Sequence, residues 1–370
     1  MEYHFSDLFT WTSGKPITPS DGNIPIYGSN GVIGYSDKAK YHNKIILGRV
    51  GAYCGSVAYC PTDFDATDNT LITTCDTSRI LYSYAYYLLK QFDLNGYAGG
   101  AAQPLITQGL LKHLKCDVPA IYQQQRIVAH LSAYDNLIEV NNKRIKVLEQ
   151  MAENLYKEWF VRFRFPGHES AEFVDGIPKG WEYCSVESLS DILQRGISPD
   201  YDDEGKLIVI SQKCIRQNIM DIREARQQTK AFKPELNLQD GDTVICSTGT
   251  GTLGRVGQVY GDYPNTTFDS HVTLVRSKEN LGKHYLYWIL KEMQPWFMNM
   301  GIGSTNQQEL YRSTIKNAKA LRAEESLVKR FESIIDPIHQ EIINLIKSQD
   351  SLTQQRDLLL PRLMSGKLEV

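Results

Sequence analysis

Two long helical patterns, each preceded by a large segment of strand-and-turn character, constrain this sequence more than any other feature. From Ile127, apolar side chains recur at Leu131, Tyr134, Ile138, Ile145, Leu148, Ala152, Leu155 and Trp159, and with Asn141 included every step is three or four residues. That stepping is the a/d seam of paired helices. It restarts at Leu327, Phe331, Ile334 and Ile338, resumes at Ile342 and Leu345, and ends through Gln349, Leu352, Arg356, Leu359 and Leu363. Leu327 lies 200 residues beyond Ile127, and Leu363 lies 204 beyond Trp159. The difference predicts a four-residue stutter that locally unwinds the supercoil. Asn141 places a polar group in the seam, a device that fixes register. Pro337 predicts a kink or break at Asp336.

The segments before the helices echo each other as well. Glu2-Tyr3 followed by Phe5-Ser6-Asp7-Leu8 resembles Glu182-Tyr183 followed by Val186-Glu187-Ser188-Leu189. Lys44–Leu47 leads to Gly55 as Thr243–Cys246 leads to Gly254, and Asp68-Asn69-Thr70-Leu71 parallels Asp269-Ser270-His271-Val272. Gly99–Leu105 likewise parallels Gly301–Gln307. Short apolar runs separated by Gly/Asn/Asp turns, such as Ile24–Tyr27 and Val32–Tyr35, read as strands; the breaker-free stretch 80–92 reads as a helix. The fold class expected is α+β: two mainly-β or mixed domains joined by two long antiparallel coiled-coil helices, with a pseudo-two-fold internal repeat. The boundaries expected are 1–120 and 166–318 for the domains, and 121–165 and 319–370 for the helical spacers. If the helices pair antiparallel, a head sits at each end of a rod roughly 50 Å long.

The formal charge of −3 gives no global mark of nucleic-acid binding. Residues 206–233, however, hold seven basic side chains against Asp221 and Glu224, a net of +5 that suits a phosphate-facing strip or a solvated face. Seven scattered cysteines form no C-x-x-C pair, and the N-terminus lacks an export-signal pattern, so reduced thiols and a cytoplasmic setting are expected. No apolar run reaches the ~20 residues of a membrane span.

Motifs for chemistry fail on context. Gly249-Thr250-Gly251-Thr252-Leu253-Gly254 fits G-x-G-x-x-G, but Arg255–Tyr260 reads as another strand where a dinucleotide site needs a helix, so a β-hairpin is expected. Pro199-Asp200 with Glu204-Gly205-Lys206 imitates a nuclease site, yet three intervening residues make one acidic turn. There is no phosphate loop, no Asn-Pro-Pro-aromatic tetrapeptide, and no histidine cluster at metal spacing. No enzyme activity and no metal site are expected of the chain alone.

Three segments carry a family resemblance: Gln123-Gln124-Gln125-Arg126-Ile127-Val128-Ala129-His130-Leu131, Asn154–Phe163, and the terminal Arg356–Gly366. Together with Gly180-Trp181-Glu182, they resemble the specificity subunit of type I restriction–modification enzymes over nearly the whole length. The resemblance implies two target-recognition domains, each reading one half of a bipartite, asymmetric site on double-stranded DNA, with the helices as ruler. It implies docking of two methyltransferase (modification) subunits on the helices and the addition of restriction (motor-nuclease) subunits. S-adenosylmethionine, ATP and Mg belong to those partners, and this chain carries no cofactor. One departure is visible, Glu324-Glu325-Ser326 standing where the first helix has Gln124-Gln125-Arg126. The competing reading is a non-catalytic coiled-coil scaffold without DNA specificity.

Side-chain chemistry then nominates DNA contacts. In the first domain these are Lys15, Ser29, Asn30, Arg49 and Tyr53; in the second, Lys213, Arg216, Gln217, Ser247, Thr248, Thr250 and Arg255. Arg can read guanine bidentately and Asn or Gln adenine. Asn69 and Gln103 are expected as buried hydrogen-bond formers.

Overall fold

The computed structural model describes residues 1–99, 104–216, 218–249, 251–303 and 308–369. It divides into two compact units, Met1–Val140 with Gln349–Val370, and Asn141–Ser348. Both are mixed α/β.

In the first unit six strands form one sheet: β1 (Phe9–Ser13), β2 (Ile24–Gly28), β3 (Gly31–Ser36), β4 (Tyr41–Gly48), β5 (Val57–Ala66) and β6 (Thr70–Cys75), in the order β1-β6-β4-β5-β2-β3. Helix α1 (Tyr82–Gln91) covers one face. Strand β4 shows why its apolar run is continuous rather than alternating. Ile45 and Leu47 join the large core with Tyr84 and Leu88, whereas Ile46 turns to a second cluster around Phe64 and Ile72. Covering both faces of a sheet removes the polar alternate positions. Glu2–His4 pairs with Lys115–Asp117 and closes the unit just before helix α2 (Ile121–Tyr156).

The second unit repeats this plan. Its six-stranded sheet contains β7 (Ser190–Arg195), β8 (Ile215–Arg216), β9 (Ile219–Met220), β10 (Thr243–Cys246), β11 (Val256–Gln258) and β12 (Val272–Ser277), in the order β7-β12-β10-β11-β9-β8. Val244 and Cys246 point to one cluster and Ile245 to the other, as in β4. Helix α3 (Lys283–Glu292) takes the place of α1, and Glu182–Ser185 pairs with Lys319–Arg322 just before helix α4 (Glu325–Met364). A separate three-stranded sheet is built from Leu207–Ile210, Arg226–Gln228 and Thr266–Phe268, with Leu207–Ile210 parallel to Thr266–Phe268 as β2 is parallel to the end of β5.

The two long helices lie antiparallel in each unit. In the first, Arg356 Nη1 reaches Asp135 Oδ1 at 2.6 Å and Gln349 Nε2 donates to the Ile138 carbonyl at 3.5 Å. In the second, Arg144 Nη2 meets Glu341 Oε1 at 2.6 Å, Asn141 Nδ2 donates to Ser348 Oγ at 3.3 Å, and the Phe160 and Phe331 rings meet edge to face. Leu131, Ile138, Asn141, Ile145, Leu148, Leu155 and Trp159 are buried or half-buried, on α2 and the π-turn Lys157–Val161 that follows it. So are Phe331, Ile338, Ile342, Leu345, Leu352, Leu359 and Leu363 on α4.

The stutter is absent. Ile334 is exposed and Ile335 is buried, so the seam runs Phe331, Ile335, Ile338, Ile342, Leu345. Each of these positions lies 204 residues beyond its counterpart Ile127, Leu131, Tyr134, Ile138 or Asn141, as Glu325 lies beyond Ile121 at the helix starts. Leu327 and Ile334 had suggested an offset of 200; Leu327 instead belongs to the second unit's core. The 204 register also sets Val328-Lys329-Arg330 against Gln124-Gln125-Arg126, so Arg330 matches Arg126 and the departure moves from Glu324-Glu325-Ser326 to Val328-Lys329. Nor does Pro337 break α4, which is helical throughout. Ile335 and Ile338 pack on the second unit's core on either side of the proline, and that burial outweighs the one lost backbone bond.

Candidate nucleic-acid interface

One hydrogen-bonded corner is built twice, once at the end of each sheet. In the first unit the Gly14 N–H donates to the Thr70 carbonyl (3.1 Å), the Arg49 N–H to the Asn69 carbonyl (2.9 Å), the Ile106 N–H to the Arg49 carbonyl (3.0 Å) and the Gly55 N–H to the Gly48 carbonyl (2.8 Å). In the second the Gly196 N–H donates to the Val272 carbonyl (3.0 Å), the Ser247 N–H to the His271 carbonyl (2.8 Å), the Leu310 N–H to the Ser247 carbonyl (2.8 Å) and the Gly254 N–H to the Cys246 carbonyl (2.8 Å). Val50 bridges to Leu105 as Thr248 bridges to Glu309. The backbone therefore equates Arg49 with Ser247, Val50 with Thr248, Asn69 with His271, and Leu105 with Glu309. The match of Asn69 to His271 is one residue beyond the register read from sequence. It also separates the two Leu-Gly-Arg-Val-Gly pentapeptides: Leu47–Gly51 ends β4, whereas Leu253–Gly257 enters β11.

Several nominated residues meet at the first corner. Ser29 Oγ donates to the Asn69 carbonyl (2.6 Å), Ser56 Oγ donates to the Ser29 carbonyl (2.6 Å), and Arg49 Nη1 donates to Ser13 Oγ (3.3 Å). Lys15, Asn30 and Tyr53 are exposed on the adjoining turns. Asn69 is exposed rather than buried, because the corner uses its carbonyl and leaves the amide outside. Gln103 lies outside the described residues.

At the second corner Thr248 Oγ1 donates to Gln212 Oε1 (3.2 Å) and lies 2.6 Å from His271 Nδ1. Lys213 and Arg216 are exposed nearby along the chain; Arg216 donates to the Lys213 carbonyl and pairs with Glu224. Arg255 is half-buried. Ser247 is fully buried, its hydroxyl 2.6 Å from Thr273 Oγ1, so it supports the corner and presents nothing outward. Gln217 and Thr250 lie outside the described residues. Much of the basic stretch is balanced locally, Arg223 by Asp221 and Lys233 by Glu235, while Arg226 stacks on Tyr201.

Gly249–Gly254 joins antiparallel β10 and β11, a hairpin as expected and no nucleotide loop. Asp200–Lys206 is a surface turn closed by Gly205 N–H donating to the Asp202 carbonyl. Sequence reasoning missed a polar cluster around the buried His284. His284, Glu332 and Asp336 bring metal-capable atoms within 4.8 Å of one another. Glu332, however, accepts the His284 and Tyr285 N–H groups at the start of α3 (3.3 and 2.7 Å). His284 Nε2 is 3.0 Å from Asp336 Oδ1, and Gln258 Nε2 is 3.3 Å from Nδ1. Burial lowers the imidazole to about 4. The ring is therefore neutral at pH 7; with the Gln258 amide donating to Nδ1, Nε2 carries the proton and donates to Asp336. That is a helix cap and a hydrogen bond. Among the described residues no helix is long and apolar enough to cross a membrane.

Known proteins share this duplication. The Type I restriction modification DNA specificity domain matches residues 4–150 and again 178–348. The Type I restriction enzyme MjaIX specificity subunit of Methanocaldococcus jannaschii is 28% identical over 308 residues, 79% of this chain and 70% of that protein. The HindI specificity subunit of Haemophilus influenzae is 21% identical over 417 residues, 90% and 88% of the two chains. The crystal structure of a Type-I restriction-modification S subunit from M. genitalium has the same fold, with a TM-score of 0.56 at 19% identity over 98% of this chain and 96% of that one. With its domain matched twice, across both structural units, the chain belongs to the type I restriction modification DNA specificity family.

Proposed function

We propose that the chain is the DNA-reading subunit of a type I restriction–modification complex, each unit recognising one half of a bipartite, asymmetric site. One observation carries the reading: the family's domain occurs twice on matching backbones whose corner side chains differ. Val50 and Asn69 of one corner are replaced by Thr248 and His271 in the other. Like scaffolds with unlike polar edges suit two unlike half-sites, because base edges are told apart by donor and acceptor pattern. Lys15, Ser29, Asn30, Arg49 and Tyr53 in the first unit, and Lys213, Arg216, Thr248 and Arg255 in the second, are the DNA-contact candidates that remain.

The long helices act as spacer and as docking surface for two methyltransferase subunits, which bring S-adenosylmethionine. Restriction subunits bring ATP and Mg. The chain itself performs no catalysis. Methylation mapping in a host with and without the gene tests this. A single two-part motif that disappears on deletion is expected, and a methylome unchanged by deletion overturns the proposal. Inserting one heptad into both helices lengthens the unread gap and leaves both half-sites the same.

A further inference from the structure

The two corners hold an arginine each, supplied from opposite sides. Ser13 pairs with Leu71 in the first sheet, and Arg195 pairs with Thr273 in the second. Ser13 is followed by Gly14, whose N–H bonds Thr70; Arg195 is followed by Gly196, whose N–H bonds Val272. Ser13 therefore corresponds to Arg195, just as Arg49 corresponds to Ser247. One corner has serine on the first strand and arginine across from it; the other has them exchanged.

The surroundings of the two guanidinium groups differ in a telling way. Arg49 is half-buried, touches only the neutral hydroxyl of Ser13 through Nη1, and has a buried Nε with no hydrogen-bond partner. Among the described residues no carboxylate pairs with it. A buried N–H with an unmade bond is costly, and a guanidinium with no carboxylate partner is poised for an external acceptor. Arg195 donates from Nε to the Ser270 carbonyl and from Nη1 to Glu309. Glu309 stands where the first corner has Leu105, on a backbone bridge to Thr248. The side chains of Arg195 and Glu309 are 28% and 33% exposed, so the pair is reachable from solvent.

We infer that Arg49 and Arg195 are corresponding DNA contacts, each donating to a guanine edge in its own half-site, with Glu309 the resting counter-ion that DNA displaces from Arg195. Guanine offers two acceptors, O6 and N7, to a planar guanidinium. This inference rests on the DNA-reading function proposed above and adds the residues that would discriminate.

The test uses the full chain and fluorescence anisotropy on duplexes carrying the mapped site, with each G·C pair of either half replaced in turn. Arg49→Ala is expected to weaken binding about tenfold or more and to flatten discrimination at one G·C pair of one half-site. Arg195→Ala does the same in the other half. Arg49→Lys and Arg195→Lys keep the charge and lose the same discrimination, and they carry the test if an alanine variant fails to fold. Glu309→Gln tightens binding through the second half-site. Uniform weakening on every duplex, with a shallower salt dependence, would mark phosphate contacts and overturn the inference. An unchanged motif and affinity overturns it too. A wild-type chain with no two-part motif would instead sink the proposed function itself.

Discussion

Arg356 and Asp135 form a short ion pair across the two helices of the first unit, with Nη1 and Oδ1 2.6 Å apart, and the Tyr87 hydroxyl donates to the other carboxylate oxygen at 2.6 Å. Helix pairing and α1 are thereby tied at one carboxylate. Arg356→Ala leaves Asp135 half-buried without its cation and is expected to cost the unit about 2 kcal/mol. Hydrogen exchange of amides in residues 121–140 reads the loss locally. Protection equal to the parent's would show the pair to be idle.

Asn141 is the polar member of the seam and donates to Ser348 Oγ at 3.3 Å. Asn141→Leu adds apolar burial at a nearly closed site, while the serine hydroxyl turns to water. The substitution is expected to raise the second unit's stability by about 1 kcal/mol and to loosen helix register. A lowered melting temperature would mean that the polar bond outweighs the burial.

Gly55 and Gly254 occupy the same point of the two corners with φ of 88° and 76°, and an added Cβ would lie 2.6 Å from the Asn95 and Met298 backbone nitrogens respectively. Conformation and space both demand glycine. Either alanine variant is expected to lose about 2–4 kcal/mol, seen as early proteolytic cleavage in the affected unit only. Resistance like the parent's would contradict the tight packing.

Burial pushes the Glu149 carboxyl up to about 7, against the pull of Lys291 and Asn218, and its Oε1 has no hydrogen-bond partner. An unfolded glutamate ionises near ~4.3. Between those values the unfolded chain releases a proton that the folded chain keeps, so stability falls as pH rises through this window and levels off above it. Glu149→Gln is expected to lessen the slope and to exceed the parent by about 1–3 kcal/mol above pH 7. Glu332, also raised to about 7 by burial, adds a slope of the same sign, and His284, lowered to about 4 by burial, opposes it. Urea unfolding at acidic and alkaline pH decides the matter; a parent-to-variant difference identical at both would refute the assignment.

The duplication and the long helices were legible because apolar spacing follows directly from helix geometry. The register was less so. Ile334 and Ile335 are adjacent and equally apolar, and only the partner surface shows that Ile335 turns inward. Ser247 looked like an outward hydroxyl beside a glycine loop, yet it is fully buried with its hydroxyl against Thr273. Arg195 was passed over because it ends an ordinary strand. Its one sequence signal, a glycine at 196 echoing Gly14 after Ser13, needed the backbone register before it could be read.

The exchange of serine and arginine across each corner bears on which chimeras of the two units can keep their charge. A crossover falling between the two halves of the chain transplants each corner whole and keeps one cation in each. A crossover inside a sheet joins Ser13 to Ser247, leaving no charge, or Arg195 to Arg49, forcing two like charges together. A chimera of the two units therefore keeps one cation at each corner only when its joints lie outside the sheets.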